Sequence, residues 1–157
     1  RALRAGDHID FGEQGGASES ELPPPAADDA PIRIVWGLHA DLFGAEARQG
    51  LLEAEFRITP RLDRMGVRLS DEARVFADEQ PLGLVSDAIV PGDIQILGDG
   101  QPIVLMRDHQ PTGGYPRIAT VIGADLDRFA QMRPGAALRL AAIGQANANA
   151  AYRAMFG

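Results

Sequence analysis

The 157-residue chain contains no cysteine, which removes disulfides, thiolate nucleophiles and Cys-based metal sites together. No lysine occurs either, so all 15 basic residues are arginine. A phosphate-loop lysine, a Schiff-base lysine and a biotinylated lysine are therefore excluded within these residues. Aromatic residues are sparse, at 6%. No apolar run reaches the roughly 18 residues of a membrane-spanning helix, and the first residues lack a basic-then-apolar signal pattern. Basic residues are outnumbered by 22 acidic ones, for a formal charge of −7, which argues against a nucleic-acid surface. The three histidines, His8, His39 and His109, lie far apart in sequence, so no metal site is expected. The patterns GxxxxGK[ST], HExxH, GxSxG and GxGxxG are missing as well.

What is present is globular. Hydrophobic residues at 45% and charged residues at 24% are ordinary values. A chain of this length forms one domain and buries roughly 70% of its unfolded surface. Residues 1–12 read as a short strand, with Ile9 and Phe11 alternating with His8 and Asp10 after a Gly6-Asp7 turn. Residues 13–31 carry Gly15-Gly16, Ser18, Ser20 and Pro23-Pro24-Pro25 with almost no large apolar side chain, the composition of a flexible linker. The folded part is expected over 32–157.

Within it, Ile32, Ile34 and Trp36 suggest a strand, and Ala45 to Glu55 a helix with Ala47, Leu51 and Leu52 on one face. Short strands are expected at Phe56–Thr59, Gly66–Leu69, Asp93–Leu97, Pro102–Met106 and Ile118–Ile122. Ile94 and Ile96 fall on one face of theirs and Gln95 on the other. Gly98-Asp99-Gly100 predicts a hairpin turn, and Thr112-Gly113-Gly114 a second tight turn. Asp125 is the expected cap of a helix through Phe129, stopped by Arg133-Pro134-Gly135. Leu138 and Leu140 suggest one more strand, and Gln145 to Phe156 a terminal helix. Trp36, Phe43 and Phe129 are expected in the core. Many short strands between Gly/Pro turns point to a mainly β protein, a closed or nearly closed barrel with a few short helices.

Four segments are dense in Gly, Pro and polar residues inside this β pattern: Asp63-Arg-Met-Gly-Val-Arg-Leu69, Ser86-Asp-Ala-Ile-Val-Pro-Gly92, Gln95-Ile-Leu-Gly-Asp-Gly-Gln-Pro102 and Asp108-His-Gln-Pro-Thr-Gly-Gly-Tyr-Pro116. Together, over about Trp36 to Leu140, they resemble the allophanate hydrolase subunit 2 family, also called the biotin-dependent carboxyltransferase family. It includes the C-type subunit of ATP-dependent 5-oxoprolinase, KipA-like regulators and part of the carboxyltransferase domain of urea carboxylase. The resemblance implies a cyclophilin-like barrel that forms the C-terminal half of a longer unit. Residues 1–12 would then be the last strand of a missing N-terminal subdomain. It also implies a cytoplasmic, heteromeric amide-bond hydrolase or carboxyltransferase acting on a small amide, lactam or urea. The partners would be the missing half and a homologous cyclophilin-like subunit. No cofactor would be held covalently, and ATP or carboxybiotin would be supplied through partner subunits. The other activity in the family is KipA-like regulation, in which the barrel docks on a partner barrel.

The residues themselves suggest a site. Arg64 and Arg68 offer forked donors to a carboxylate or phosphate; the alternative is a surface ion pair. Ser86 and Asp87 form a pocket edge, with Asp87 as base or acceptor, or else simply a turn before Pro91-Gly92. Gln95 and Gln101 can present amides to a ureido or lactam group, unless Gln95 is only an outward strand residue. Asp108, Gln110, Thr112, Gly113, Gly114 and Tyr115 form the strongest cluster. Successive glycines let backbone N–H groups bind an anion, and Tyr115 can stack on a flat ring or donate a hydrogen bond; the alternative is a hairpin that closes the barrel. Asp108 and Tyr115 are the candidate catalytic groups, and the others are candidate substrate contacts. Because the resemblance covers one half of the family's unit, these 157 residues alone are expected to be inactive. Turnover of 5-oxoproline or carboxyl transfer to urea by the purified chain would overturn that.

Overall fold

The computed structural model describes residues 3–9, 12, 29–77, 79 and 83–155. The reading of 13–31 as linker therefore lies outside the described residues except for its last three positions. So do Arg1, Ala2, Asp10 and Phe11 of the proposed first strand. Residues 3–9 hold a turn, in which Arg4 N donates to Asp7 Oδ2 at 2.7 Å and Asp7 N donates to the Arg4 carbonyl at 3.0 Å.

Ten strands form among the described residues: β1 (Ile32–Trp36), β2 (Phe56–Leu62), β3 (Gly66–Asp71), β4 (Asp87–Ala88), β5 (Asp93–Ile96), β6 (Pro102–Leu105), β7 (Thr112–Gly113), β8 (Arg117–Val121), β9 (Ala137–Leu138) and β10 (Leu140–Ala142). Eight of them make one sheet in the order β10-β1-β8-β5-β6-β3-β2-β9, and β4 pairs with β7 in a separate ribbon. The two edge strands, β9 and β10, are separated in the chain by Arg139 alone. One chain segment thus joins both edges of the sheet, which must curl round until they meet. The Arg139 carbonyl accepts from Ile32 N at 2.9 Å, which continues the β1–β10 pairing up to the joining residue. Closure leaves few unpaired edge groups.

The curled sheet buries one face of each strand. Ile32, Ile34, Phe56, Leu69, Ile94, Val104, Ile118 and Val121 meet in a single core. Helix α1 (Ala45–Glu53) adds Ala47 and Leu51, and helix α2 (Gly123–Ala130) adds Leu126 and Phe129. Phe43 and Phe76 pack edge to face, with centroids 5.9 Å apart. Helix α3 (Gln145–Ala154) packs against α2 and β1. Phe43 and Phe129 are core residues as expected, whereas Trp36 is 41% exposed at the end of β1.

Three local expectations are corrected. Asp125 does not cap α2, which begins at Gly123 after an Ile122 cap. Its carboxylate instead reaches across to β1, accepting from Arg33 N at 2.7 Å and Arg33 Nη2 at 2.6 Å. Thr112-Gly113 is a strand rather than a tight turn, paired as Asp87↔Gly113 and Ala88↔Thr112. The Leu138–Leu140 segment is two strands with different partners, for the closure reason above.

Burial pushes the Asp125 carboxyl up, but hydrogen bonds from Arg33 and the charges of Arg33 and Arg128 outweigh it and hold it below the usual carboxylate range. A depressed carboxyl contributes stability above its unfolded pKa, and the contribution is lost as pH falls through the folded value. Asp125→Ala leaves the Arg33 amide without that acceptor and is expected to cost about 2 kcal/mol. Thermal melting at neutral pH should fall by about 4–8 °C. An unchanged melting temperature would show that this contact is not stabilising.

Candidate functional site

The outer face of the sheet carries a row set by register. Arg68 opposes Ile103, Ile103 opposes Gln95, and Gln95 opposes Arg117 across β3, β6, β5 and β8. Directly opposed residues project to the same face, so these four side chains stand in line away from the core. On an ordinary half-exposed sheet they would be solvated. Here every residue of β5 is buried, because the β4–β7 ribbon lies over this face.

Arg117 fastens the ribbon. Its Nη2 donates to Asp87 Oδ2 at 2.9 Å and its Nη1 to the Ala88 carbonyl at 2.7 Å. Beneath it, Asp93 is 2% exposed and accepts from Thr120 Oγ1 at 2.7 Å and from Val90 N at 3.0 Å. The Val90–Asp93 turn needs Gly92 at φ +93°, where a Cβ would come within 2.7 Å of the Val121 carbonyl. His39 completes the cluster, its Nδ1 accepting from Arg117 N at 3.2 Å.

Beside the ribbon, a cavity of about 520 Å³ opens on the outer face of β3, β6 and β5. Gln95, Ile103, Leu105 and Leu97 line it from the sheet, with Arg61, Arg68, Met65 and Gly66 on one side and Gln110 and Tyr115 on the other. Gly66 leaves room for Ile103, whose Cδ1 would lie 2.7 Å from a Cβ at position 66. Gln95 is 2% exposed. Its Nε2 is the one buried side-chain polar atom among the described residues that lacks a hydrogen-bond partner. Gly113 of the ribbon covers it, and a Cβ there would sit 3.0 Å from Nε2. A buried donor left unpaired costs about 1–3 kcal/mol, which is tolerated where a ligand supplies the acceptor.

The candidate residues therefore separate. Arg68, Gln95, Gln110 and Tyr115 come together at the cavity. Gln101 stands behind Arg68, its Oε1 accepting from Arg68 Nη1 at 3.1 Å. Arg64 and Asp108 form a two-pronged exposed ion pair on the adjoining turns, at 2.9 and 3.2 Å, with Asp108 N also bonded to the Arg64 carbonyl at 2.8 Å. Neither lines the cavity. Asp87 is engaged by Arg117, while Ser86, Thr112, Gly113 and Gly114 belong to the ribbon and its flanks. Gly114 lies against the Leu84 carbonyl, 2.8 Å from where its Cβ would be. Arg61 was missed by sequence reasoning. Its signal was Pro60, which has no N–H to give a sheet ladder and is confined to edges and bulges.

The sequence of residues 1–142 matches the family described as "Carboxyltransferase domain, subdomain A and B". The chain belongs to this carboxyltransferase-domain family. It is 35% identical over 144 residues to the C-type subunit of 5-oxoprolinase from Haemophilus influenzae, covering 91% of this chain and 46% of the relative. To the corresponding 5-oxoprolinase subunit of Escherichia coli it is 32% identical over 136 residues, covering 86% and 43%. The chain thus spans less than half the length of these relatives. Among solved structures, TTHA0988 superimposes with a TM-score of 0.60 at 30% identity, over 78% of this chain and 23% of that one. The urea carboxylase of Kluyveromyces lactis gives a TM-score of 0.65 at 23% identity, over 75% and 11%, and shares the fold. Among the described residues, no group of His, Cys, Asp or Glu is arranged to hold a metal ion. Among the same residues, no helix is long and apolar enough to cross a membrane.

In this member of the carboxyltransferase-domain family, burial and then the neighbouring Arg117 charge lower the pKa of His39, outweighing the opposite pull of Asp87 and Asp93. The folded chain therefore holds its proton less tightly than the unfolded chain. Stability is full above the unfolded histidine value of about 6.5 and declines as pH falls from there to the folded value. Melting measured from pH 7.5 to 5 should show this decline, and His39→Gln should flatten it. A slope unchanged by the substitution would assign the effect elsewhere.

Proposed function

We propose that the chain is the barrel subdomain of an enzyme of the 5-oxoprolinase-subunit or biotin-dependent carboxyltransferase type, and that the outer-face cavity receives part of a small amide, lactam or urea substrate. The observation that carries this reading is Gln95, buried in the cavity wall with an Nε2 that no protein atom satisfies. An amide donor held this way suits a carbonyl oxygen, the group common to lactams, ureas and carboxybiotin. Gln95 lines the cavity, and the last bond of its side chain is soft to rotation.

The remaining groups support the reading. Tyr115 offers a ring face and a hydroxyl beside Gln95. Arg68 presents a guanidinium whose Nη1 is held by Gln101 at 3.1 Å and approached by Asp99 at 3.8 Å, so its direction is fixed before a ligand arrives. Leu97, Ile103 and Leu105 supply an apolar floor that excludes water and strengthens each polar contact. The similarity to the 5-oxoprolinase subunit of Haemophilus influenzae extends over 91% of the chain, which favours ATP-dependent opening of a lactam in a complex whose other subunits handle ATP. In that complex the chain would bind and orient the substrate's carbonyl.

The test uses the full-length protein assembled with its partner subunits. ATP hydrolysis stimulated by 5-oxoproline is expected. Gln95→Leu and Tyr115→Phe are each expected to lower kcat/KM by about tenfold or more, as when a polar contact to substrate is removed, with assembly intact. Full activity in both variants would exclude this cavity as the site. A well-assembled complex without stimulation would exclude the lactam substrate and direct the same variants to a urea and carboxybiotin assay.

A further inference from the structure

Strand β2 is irregular where it borders the cavity. Ile58 pairs with Leu69 and Leu62 pairs with Val67, with a shift of register between. Three residues, Thr59, Pro60 and Arg61, thus stand opposite the single Arg68. Such a bulge re-aims a side chain, and here both arginines line one cavity. Like charges on neighbouring strands repel, and the chain as a whole carries −7, so a paired guanidinium site in it calls for an explanation.

The two guanidinium groups are answered only in part by their surroundings: Arg68 is paired at one end alone, with Asp99 at 3.8 Å. Arg61 makes no side-chain hydrogen bond or ion pair among the described residues. Its backbone N–H donates to Thr59 Oγ1 at 3.2 Å, which fixes the bulge. On Arg68, Gln101 and Asp99 both approach Nη1, which leaves the Nε–Nη2 edge open, the edge suited to a carboxylate. The one acidic residue of the cavity wall is Asp63. Its Oδ1 is taken up by the turn, accepting from Met65 N at 2.8 Å and Gly66 N at 3.1 Å.

We infer that Arg61 is a specificity-determining residue of this cavity: with Arg68 across the bulge it forms a carboxylate subsite, so that anionic carbonyl compounds are selected over neutral ones of the same shape. The inference rests on the reading of the cavity as a substrate site. It adds that the ligand carries two acceptors, a carbonyl oxygen for Gln95 and a carboxylate for the arginine pair. A neutral urea would leave both guanidinium groups unanswered.

The experiment is an NMR titration of the 157-residue chain with N-acetylglycine and its neutral match, N-acetylglycinamide, followed on resonances of Gln95 and Tyr115. N-acetylglycine should bind about tenfold more tightly than the amide. Arg61→Gln should reduce that preference to about twofold or less without changing the affinity for the amide. Arg61→Lys should retain part of it, and Arg48→Gln, a change on α1, should leave it intact. An unchanged preference in Arg61→Gln, equal binding of the two probes to the parent chain, or no shift with either probe would overturn the inference. The broader reading is judged separately by the ATP hydrolysis assay. If that assay fails while the Arg61-dependent preference holds, the carboxylate subsite stands and the assigned reaction falls.

Discussion

Closure of a single sheet on itself is the constraint from which the other features follow. Strands β9 and β10 sit at opposite edges, yet only Arg139 separates them in the chain. This forces the curl, and the curl gathers the inward faces of eight strands into one apolar core. Closure also fixes which residues face outward, because alternation along each strand leaves no freedom once the inner face is chosen. The row from Arg68 through Ile103 and Gln95 to Arg117 is a consequence of that registration.

A second layer then converts part of the outer face into interior. The β4–β7 ribbon is too short to stand alone. It is held by side chains, above all by Arg117, which donates to both Asp87 and the Ala88 carbonyl. Burying an arginine and an aspartate together is unfavourable unless each is hydrogen-bonded. Arg117 meets that condition through Asp87 and the Ala88 carbonyl, and Asp93 meets it through Thr120 Oγ1 and Val90 N. Gln95, in the same layer, does not have its donor satisfied. This contrast between a completed network and an incomplete one two residues away singles out the cavity beside the ribbon.

Much of the architecture was legible in the chain. The alternation of Ile94, Gln95 and Ile96, the Gly98-Asp99-Gly100 turn and the helix around Leu51 each follow from local periodicity, and the structure contains them. The mainly β barrel followed from the density of short strands. The errors arose where a partner distant in sequence decides the outcome. Asp125 has the composition of a cap but is drawn to Arg33, whose amide and guanidinium both lie within reach. Thr112-Gly113 has the composition of a turn but finds Asp87-Ala88 as a strand partner. Trp36, apolar by type, lies at a strand end where the sheet no longer covers it.

The same division holds for the site. The four Gly/Pro-rich motifs, the all-arginine basic set and the absence of thiols and lysines were fixed by residue identity, and with them the family likeness and the range of chemistry available to the chain. Which polar residues meet was decided only by the tertiary structure. Arg64 and Arg68 are four residues apart, and Asp108 and Tyr115 lie in one motif. Yet Arg68 and Tyr115 line the cavity while Arg64 and Asp108 neutralise one another at 2.9 Å. A bulge over Thr59–Arg61 brings in a residue outside every motif. Sequence sets the period and the chemistry of each side chain, whereas face, cover and pairing depend on strand register and on the ribbon laid over it.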